Sequence, residues 1–382
     1  MRPKILISAG EASGDLYAAL VAEELRRLWP DAELFGCTGP RMRACGVRTV
    51  VDMASLAVVG LLEVVGHIPR IYGEYRKVLD SARRERPDFA ILTDSPDFHL
   101  RIARRLHAEG IPVIYLVAPQ AWAWRRGRLK EMRRSVRRLL CIFPFEEEFF
   151  TREGVAASYV GHPLAGLVGP SLSREAFFQK HELAFDRPLI VVLPGSRQGE
   201  AARHLPELLD AAGRLNRDQA LNFVLPASAT TGGRFFRERI GAAPMRVIEG
   251  ESWDALAHAD LALAASGTVT VEAALLGTPM VTFYKVTAAS WALGKMLVRV
   301  PFYSMVNLIA GRAVVPELMQ GQMTGERLAA EALRLLRDEQ ARVAMREGLA
   351  AVRQRLSGGE SAPRRAAAII QEIWEGQVAH VS

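Results

Sequence analysis

Short apolar runs alternate along the chain with longer stretches in which apolar positions recur every three or four residues. In the N-terminal half KILISA, AELFGCTG, DFAILTD, PVIYLV and RLLCIFPF read as strands, while LYAALVAEELRRL and HLRIARRLHAEG carry the helical period. Strands separated by amphipathic helices predict right-handed βαβ units and a parallel sheet. A second series, LIVVLPGSR, LNFVLPAS, MRVIEG, ADLALAASG and PMVTFYK, repeats the rhythm, and Gly, Pro and Ser collect between the two series over residues 160–177. The pattern predicts an α/β chain of two Rossmann-like, doubly wound domains facing each other across a cleft, with ligands at the carboxyl ends of the strands. The first covers residues 1–165 and the second 166–355, with a terminal helix over 356–382.

Composition narrows this picture only in part. A chain of 382 residues, 49% hydrophobic, has material for two ordinary cores. The longest apolar stretch, LAVVGLLEVVGHI, is interrupted by Glu63 and is too short to span a bilayer. Arg2 and Lys4 lead into a strand rather than a signal peptide, so a soluble or peripheral protein is expected. Cys37, Cys45 and Cys141 have no metal or disulfide spacing and read as buried thiols in a reducing compartment. The net charge of +7 suits an anionic partner: nucleic acid, a phosphorylated small molecule or an anionic membrane face. No nucleic-acid-binding signature is present, and His99, His162 and the other histidines lack ligand spacing, so neither nucleic acid nor a metal site is expected.

Four stretches could carry chemistry. In ILTDSPDFHL a buried strand delivers Asp94 to its carboxyl end, where a general base would sit; Ser95 fits a helix N-cap, Pro96 the first helical position and Asp97 the first turn. The competing accounts are a plain capping loop, or a magnesium site built on Asp94 and Asp97. In LPGSRQGE the start of a helix lies beside Arg197, an arrangement that holds anions, although it lacks the P-loop ending and an ordinary strand-to-helix turn would look similar. In AASGTVTVEAALLG, Ser266, Gly267 and Thr268 could bind a diphosphate and Glu272 a ribose diol, against a simply capped helix. In SAGEASGD, Gly10, Ser13 and Gly14 form a strand-turn-helix that could bring amides to a ligand phosphate, though it lacks the Gly-x-Gly-x-x-Gly of a dinucleotide site.

Two stretches concern surfaces. Val58, Leu61, Leu62, Val65 and Ile68 form an apolar stripe that Val59 and Val64 widen beyond what a core-facing helix needs, which suggests an acyl-chain or membrane contact or else plain burial. From Trp124 to Leu140, Leu129, Met132, Val136 and Leu139 recur at helical spacing while Arg126, Lys130, Arg133 and Arg137 line another face. That amphipathic basic helix suits anionic lipid or a solvated face.

In order along the chain AGEASGD, GPRM, DSPDF, APQAWAWR, LPGSR, ASGT with Glu272, and NLIAGR resemble the lipid-A-disaccharide synthases. The resemblance implies a bacterial, inverting glycosyltransferase of GT-B architecture that needs neither metal nor cofactor. It would move 2,3-diacylglucosamine from UDP-2,3-diacylglucosamine to 2,3-diacylglucosamine 1-phosphate, at the cytoplasmic face of the inner membrane. Asp94 then corresponds to the base that takes the proton of the acceptor 6-hydroxyl, and Arg197, Ser266, Gly267 and Thr268 meet the departing UDP. Glu272 resembles a ribose-binding acid, Asn307 falls in a motif near the nucleotide, and Glu317 has no assigned role. Val306 departs from the family pattern, which more often has proline there. The same resemblance supports lipid contact by the 58–68 stripe, returns the last helix with Trp374 to the first domain and leaves a homodimer open. Two rivals remain: another UDP-sugar transferase or epimerase, and a non-catalytic basic peripheral-membrane or nucleic-acid binder.

Overall fold

The computed structural model describes residues 2–56, 64–228, 230–298 and 300–381; of 64–68, 293, 296–297 and 377–381 it describes the backbone alone. Val58, Leu61 and Leu62 of the apolar stripe therefore lie outside the described residues, as do the side chains of Val65 and Ile68. The chain divides into two compact units, Met1–Gly166 with Leu356–Ser382, and Leu167–Arg355.

The first unit is built on seven parallel strands: β1 (Lys4–Ala9), β2 (Glu33–Thr38), β3 (Arg48–Asp52), β4 (Phe89–Thr93), β5 (Val113–Leu116), β6 (Arg138–Cys141) and β7 (Ala157–Tyr159). Their order is β3-β2-β1-β4-β5-β6-β7. Central strands such as β4, FAILT, are buried at every position, as a sheet covered by helices on both faces requires. Since β1 leads outward to β2 on one side and its other neighbour is β4, the sheet reverses direction between them, and helix starts at that switch point open a natural crevice. The terminal helix Ala362–Val381 packs on the helix Ala12–Leu28, and the rings of Trp29 and Trp374 meet edge-on at 4.8 Å.

The second unit repeats the plan with six parallel strands: β8 (Leu189–Leu193), β9 (Asn222–Ala227), β10 (Arg246–Glu249), β11 (Leu261–Ala265), β12 (Met280–Tyr284) and β13 (Glu317–Met319). The order β10-β9-β8-β11-β12-β13 places its switch point between β8 and β11. Both units are thus Rossmann-like.

Two details differ from the sequence reading. The basic helix spans only Arg128–Ser135: Val136 turns extended, and Leu139 belongs to β6. Strand pairing with β5 claims this segment before the helical spacing can run on. Cys37 and Cys141 are buried, but Cys45 is half-exposed.

Candidate active site

Asp94 follows β4 and its side chain is 12% exposed. The Gly10 amide donates to Oδ1 at 2.9 Å and the Glu11 amide to Oδ2 at 3.1 Å. Those donors come from the turn after β1, which the register Ala9↔Thr93 brings alongside. Gly10 was expected to meet a substrate phosphate; its amide instead holds a carboxylate of the protein. Ser13 and Gly14 belong to the first turn of helix Ala12–Leu28, whose first backbone bond runs from the Asp15 amide to the Glu11 carbonyl, so their amides precede the intrahelical ladder. Gly14 lies so close to the acid that a Cβ there would stand 1.6 Å from Asp94 Oδ2.

The backbone of Asp94 is held in a left-handed conformation, φ +54°, and Ser95 follows at φ +36°. Consecutive non-glycine residues in this region are strained and persist only where their surroundings over-determine them. Here His99 Nδ1 and the Tyr115 hydroxyl both bond the Asp94 carbonyl, the former at 3.1 Å. A carbonyl only accepts, so His99 carries its proton on Nδ1, and its Nε2 accepts from the Ser8 hydroxyl at 2.8 Å. Burial pushes His99 down to about 4, which keeps the ring neutral. Ser95 stands at the N-cap position expected of it but makes no side-chain capping bond, because the left-handed backbone turns it away from the helix.

Burial pushes the Asp94 carboxyl up to about 7, against the lowering effect of the Gly10 and Glu11 amides and the Ser95 hydroxyl. An acid poised there is half ionised at neutral pH, where a general base works best. Asp15, next to Gly14, has a different task. It is buried, and its carboxylate accepts the amides of Gly39, Arg41 and Met42 at 2.8, 2.8 and 3.1 Å. AGEASGD and GPRM are therefore two halves of one construction, a link that the sequence reading missed. An acidic residue twenty-four positions before a Gly-Pro helix start was its only signal.

In the second unit the turns carrying Arg197 and Ser266 follow β8 and β11, neighbours in the sheet with Leu193 beside Ala264. Arg197 is exposed at the start of the helix Gln198–Asp218. Gly267 and Thr268 are exposed at the start of Thr268–Leu276. Two helix starts and a guanidinium thus share one sheet end, an arrangement that attracts a diphosphate. Buried His204 ties β8 to β12, donating from Nδ1 to the Pro194 carbonyl at 2.7 Å and accepting the Lys285 amide at Nε2, 3.0 Å. Glu272 is half-buried and accepts from Trp253 Nε1 at 3.2 Å; burial raises its pKa.

Asn307 turns its amide into the unit. It is 1% exposed, its Oδ1 accepts the amides of Val314 and Val315, and its Nδ2 donates to the Val315 carbonyl and to Glu317 Oε1. All four hydrogen-bonding positions of its amide are taken within the unit. Its effect passes through Glu317, which also accepts the amides of Tyr303 and Ser304 at 3.0 and 2.9 Å. The Tyr303 carbonyl in turn accepts from the Ser266 hydroxyl at 2.8 Å. Glu317, which had no role from sequence, is the hub that fixes the 303–304 turn against the Ser-Gly-Thr turn. Among the described residues no group of three or more His, Cys, Asp or Glu side chains is placed to hold a metal ion. No helix among them is long and apolar enough to cross a membrane.

The fold recurs in solved structures. One is a UDP-N-acetylglucosamine 2-epimerase from Listeria monocytogenes described as putative in its name, with TM-score 0.66, 14% identity and 98% of each chain covered. Another is the calicheamicin glycosyltransferase CalG4, with TM-score 0.61, 17% identity and 99% of each chain covered. At such identities they establish two Rossmann-like units of the GT-B type and nothing about chemistry. Sequence goes further. The lipid-A-disaccharide synthetase family matches residues 5–373. A lipid-A-disaccharide synthase of Solibacter usitatus (strain Ellin6076) is 74% identical over 380 residues, covering 100% of each chain. A match of that depth across both units, spanning the turns around Asp94 and Arg197 alike, means that the chain belongs to the lipid-A-disaccharide synthase family.

Proposed function

We propose that the protein transfers 2,3-diacylglucosamine from UDP-2,3-diacylglucosamine to the 6-hydroxyl of 2,3-diacylglucosamine 1-phosphate, giving the β-1,6-linked disaccharide 1-phosphate and UDP. The observation that carries the mechanism is Asp94: a buried carboxyl raised to about 7, held by two amides at a switch point of the first sheet. Asp94 accepts the hydroxyl proton as the acceptor oxygen forms its bond to the anomeric carbon. The bond from that carbon to the diphosphate breaks on the opposite side, inverting the configuration. Negative charge gathering on UDP is met by Arg197 and by the helix starts at Gln198 and Thr268, so the reading assigns leaving-group stabilisation to the chain itself rather than to a metal. Glu272 takes the ribose hydroxyls.

On this reading residues 1–165 serve the acceptor and the membrane side, 166–355 hold the UDP-sugar and 356–382 complete the first domain. The stripe of Val58, Leu61, Leu62, Val65 and Ile68 contacts lipid, so that the enzyme works peripherally at the cytoplasmic face of the inner membrane. Replacing Val58 and Leu61 together by Glu releases a folded protein from lipid vesicles; retained binding removes the stripe from that role. The function itself is tested by incubating the purified protein with both lipid substrates and weighing the products by mass spectrometry. Disaccharide 1-phosphate and stoichiometric UDP are expected. Turnover of unacylated UDP-N-acetylglucosamine with none of the acylated donor overturns the reading.

A further inference from the structure

In the same unit as Asp94, two guanidinium groups converge on one exposed carboxylate. Arg125 Nη1 donates to both oxygens of Asp97, at 3.0 and 2.8 Å, and Arg128 Nη2 donates to Oδ1 at 2.8 Å. The ring of Trp124 lies against both cations, its centroid 4.5 Å from Cζ of Arg125 and 5.5 Å from that of Arg128. Arg125 reaches this position with φ +55°, a conformation that a non-glycine residue keeps only where its surroundings impose it. The Asp97 side chain is 71% exposed whereas Arg128 is 12% exposed. Arg128 is therefore the fixed partner, while Asp97 and the half-exposed Arg125 can rearrange.

A pocket of about 230 Å³ adjoins the cluster, lined by Arg101, Arg104 and Arg128 together with Pro96, Asp97 and Glu131. With Arg125, the arginines here outnumber the carboxylates, so positive charge is left unneutralised. Asp97 sits in the first turn of the helix that Asp94 leads into, three residues along the chain from the acid.

We propose that Arg125 and Arg128 seat the phosphate monoester of the acceptor, Asp97 holding the two guanidiniums until the phosphate takes over its hydrogen bonds. The proposal rests on the transferase reading, whose acceptor carries a 1-phosphate. A monoester phosphate brings up to two charges and three terminal oxygens to two guanidinium forks, where Asp97 brings one charge and two oxygens. A membrane phosphodiester brings one charge and two free oxygens and has no such advantage. The 6-hydroxyl and the 1-phosphate belong to one sugar ring, so a phosphate seat at the start of the helix that follows Asp94 would tie the acceptor to the same strand end as the base.

The test reads binding, not turnover. Wild type, Arg125→Gln, Arg128→Gln and Asp97→Asn are titrated in detergent with 2,3-diacylglucosamine 1-phosphate and with its dephosphorylated form, and UDP affinity reports on the integrity of the second unit. Wild type should prefer the phosphorylated lipid by about tenfold or more, and each arginine variant should lose most of that preference. Asp97→Asn should strengthen binding of the phosphorylated lipid, because it removes a competing charge; a merely structural Asp97 would weaken it. If Arg128→Gln fails to fold, Arg125→Gln, whose side chain is half exposed, carries the test. A preference that survives in Arg125→Gln overturns the seat, as does weaker binding in Asp97→Asn. A loss of binding to phosphatidylglycerol vesicles with the acceptor preference intact also overturns it, in favour of a lipid headgroup. A protein that binds as expected but forms no disaccharide overturns the transferase reading and leaves the seat standing.

Discussion

Asp94→Asn separates the chemistry of the acid from its cost to the fold. The folded carboxyl titrates at about 7, against about 3.9 in an unfolded chain. The neutral acid is thus favoured by folding: its contribution is complete below about pH 4 and is lost as pH rises through about 7. The full difference of about three units corresponds to ~4 kcal/mol, reached near pH 8, and about 1–2 kcal/mol of it has already gone at pH 5. With only 12% of the side chain exposed, solvent screens little of this.

Asparagine removes the ionisation but offers an amide NH2 where one carboxylate oxygen now accepts the Gly10 or Glu11 amide. One of those donors loses its partner, at a cost of about 1–3 kcal/mol that does not depend on pH. The variant should therefore gain about 2–3 kcal/mol on wild type between pH 5 and pH 8, whatever the sign of its difference at either end. Urea unfolding of both proteins at the two pH values measures this. Disaccharide formation should fall by ~100-fold or more while UDP binding holds. A stability difference that is equal at pH 5 and pH 8 would refute a buried acid of raised pKa, and near-normal turnover would remove Asp94 from the chemistry.

For wild type, the rate of disaccharide formation should rise about tenfold per unit below pH 7 and level off above it; a flat profile from pH 5 to 8 counts against an ionising base of that pKa. Gly14→Ala, which drives a methyl to 1.6 Å from Asp94 Oδ2, should cut turnover by ~100-fold or more and leave UDP affinity within about twofold, measured by titration. Glu317→Gln leaves one of its amide donors facing an NH2 group, and should cost the second unit about 1–3 kcal/mol in denaturant unfolding and weaken UDP binding. Arg197→Ala should raise the dissociation constant of UDP by about tenfold or more; an unchanged constant removes it from the anion site.

Most strands legible in the sequence are buried on both faces, where continuous apolar runs leave no alternative; β10, an edge strand, is legible from its alternating MRVIEG. β3, β7 and β13 went unread, and each is an edge strand of three to five residues with exposed or half-exposed positions. Their pairing comes from the neighbour's free edge, which local composition does not record. RLLC reads both as part of the strand RLLCIFPF and as the end of a basic helix; its apolar residues suit a helical stripe and a buried strand alike, and the free edge of β5 makes it β6. Among site residues, Asp94 was visible because a charged residue ends a buried strand. His99, Tyr115 and Glu317 were not, since what they do depends on partners 5, 21 and 14 residues away in sequence.

The glycine turn after β1 shows how a ligand-binding motif can first serve the protein's own side chains. Its turn amides and the helix start behind them are the equipment of a phosphate site, and the sequence reads that way. Parallel pairing of β1 with β4 brings the protein's own carboxylate to the same point. Gly14 has no side chain because the acid occupies its space, and Asp15 turns inward to cap the helix at Pro40, so the turn is supported from both sides. The arrangement sets the pKa through opposed effects. Burial alone would raise the acid further, leaving too little of the ionised form at neutral pH; the amides alone would lower it and leave a poor base. The balance near 7 depends on both, so a substitution that lengthens either amide bond should raise the pKa of Asp94, and the alkaline shift of the pH–rate profile would register it.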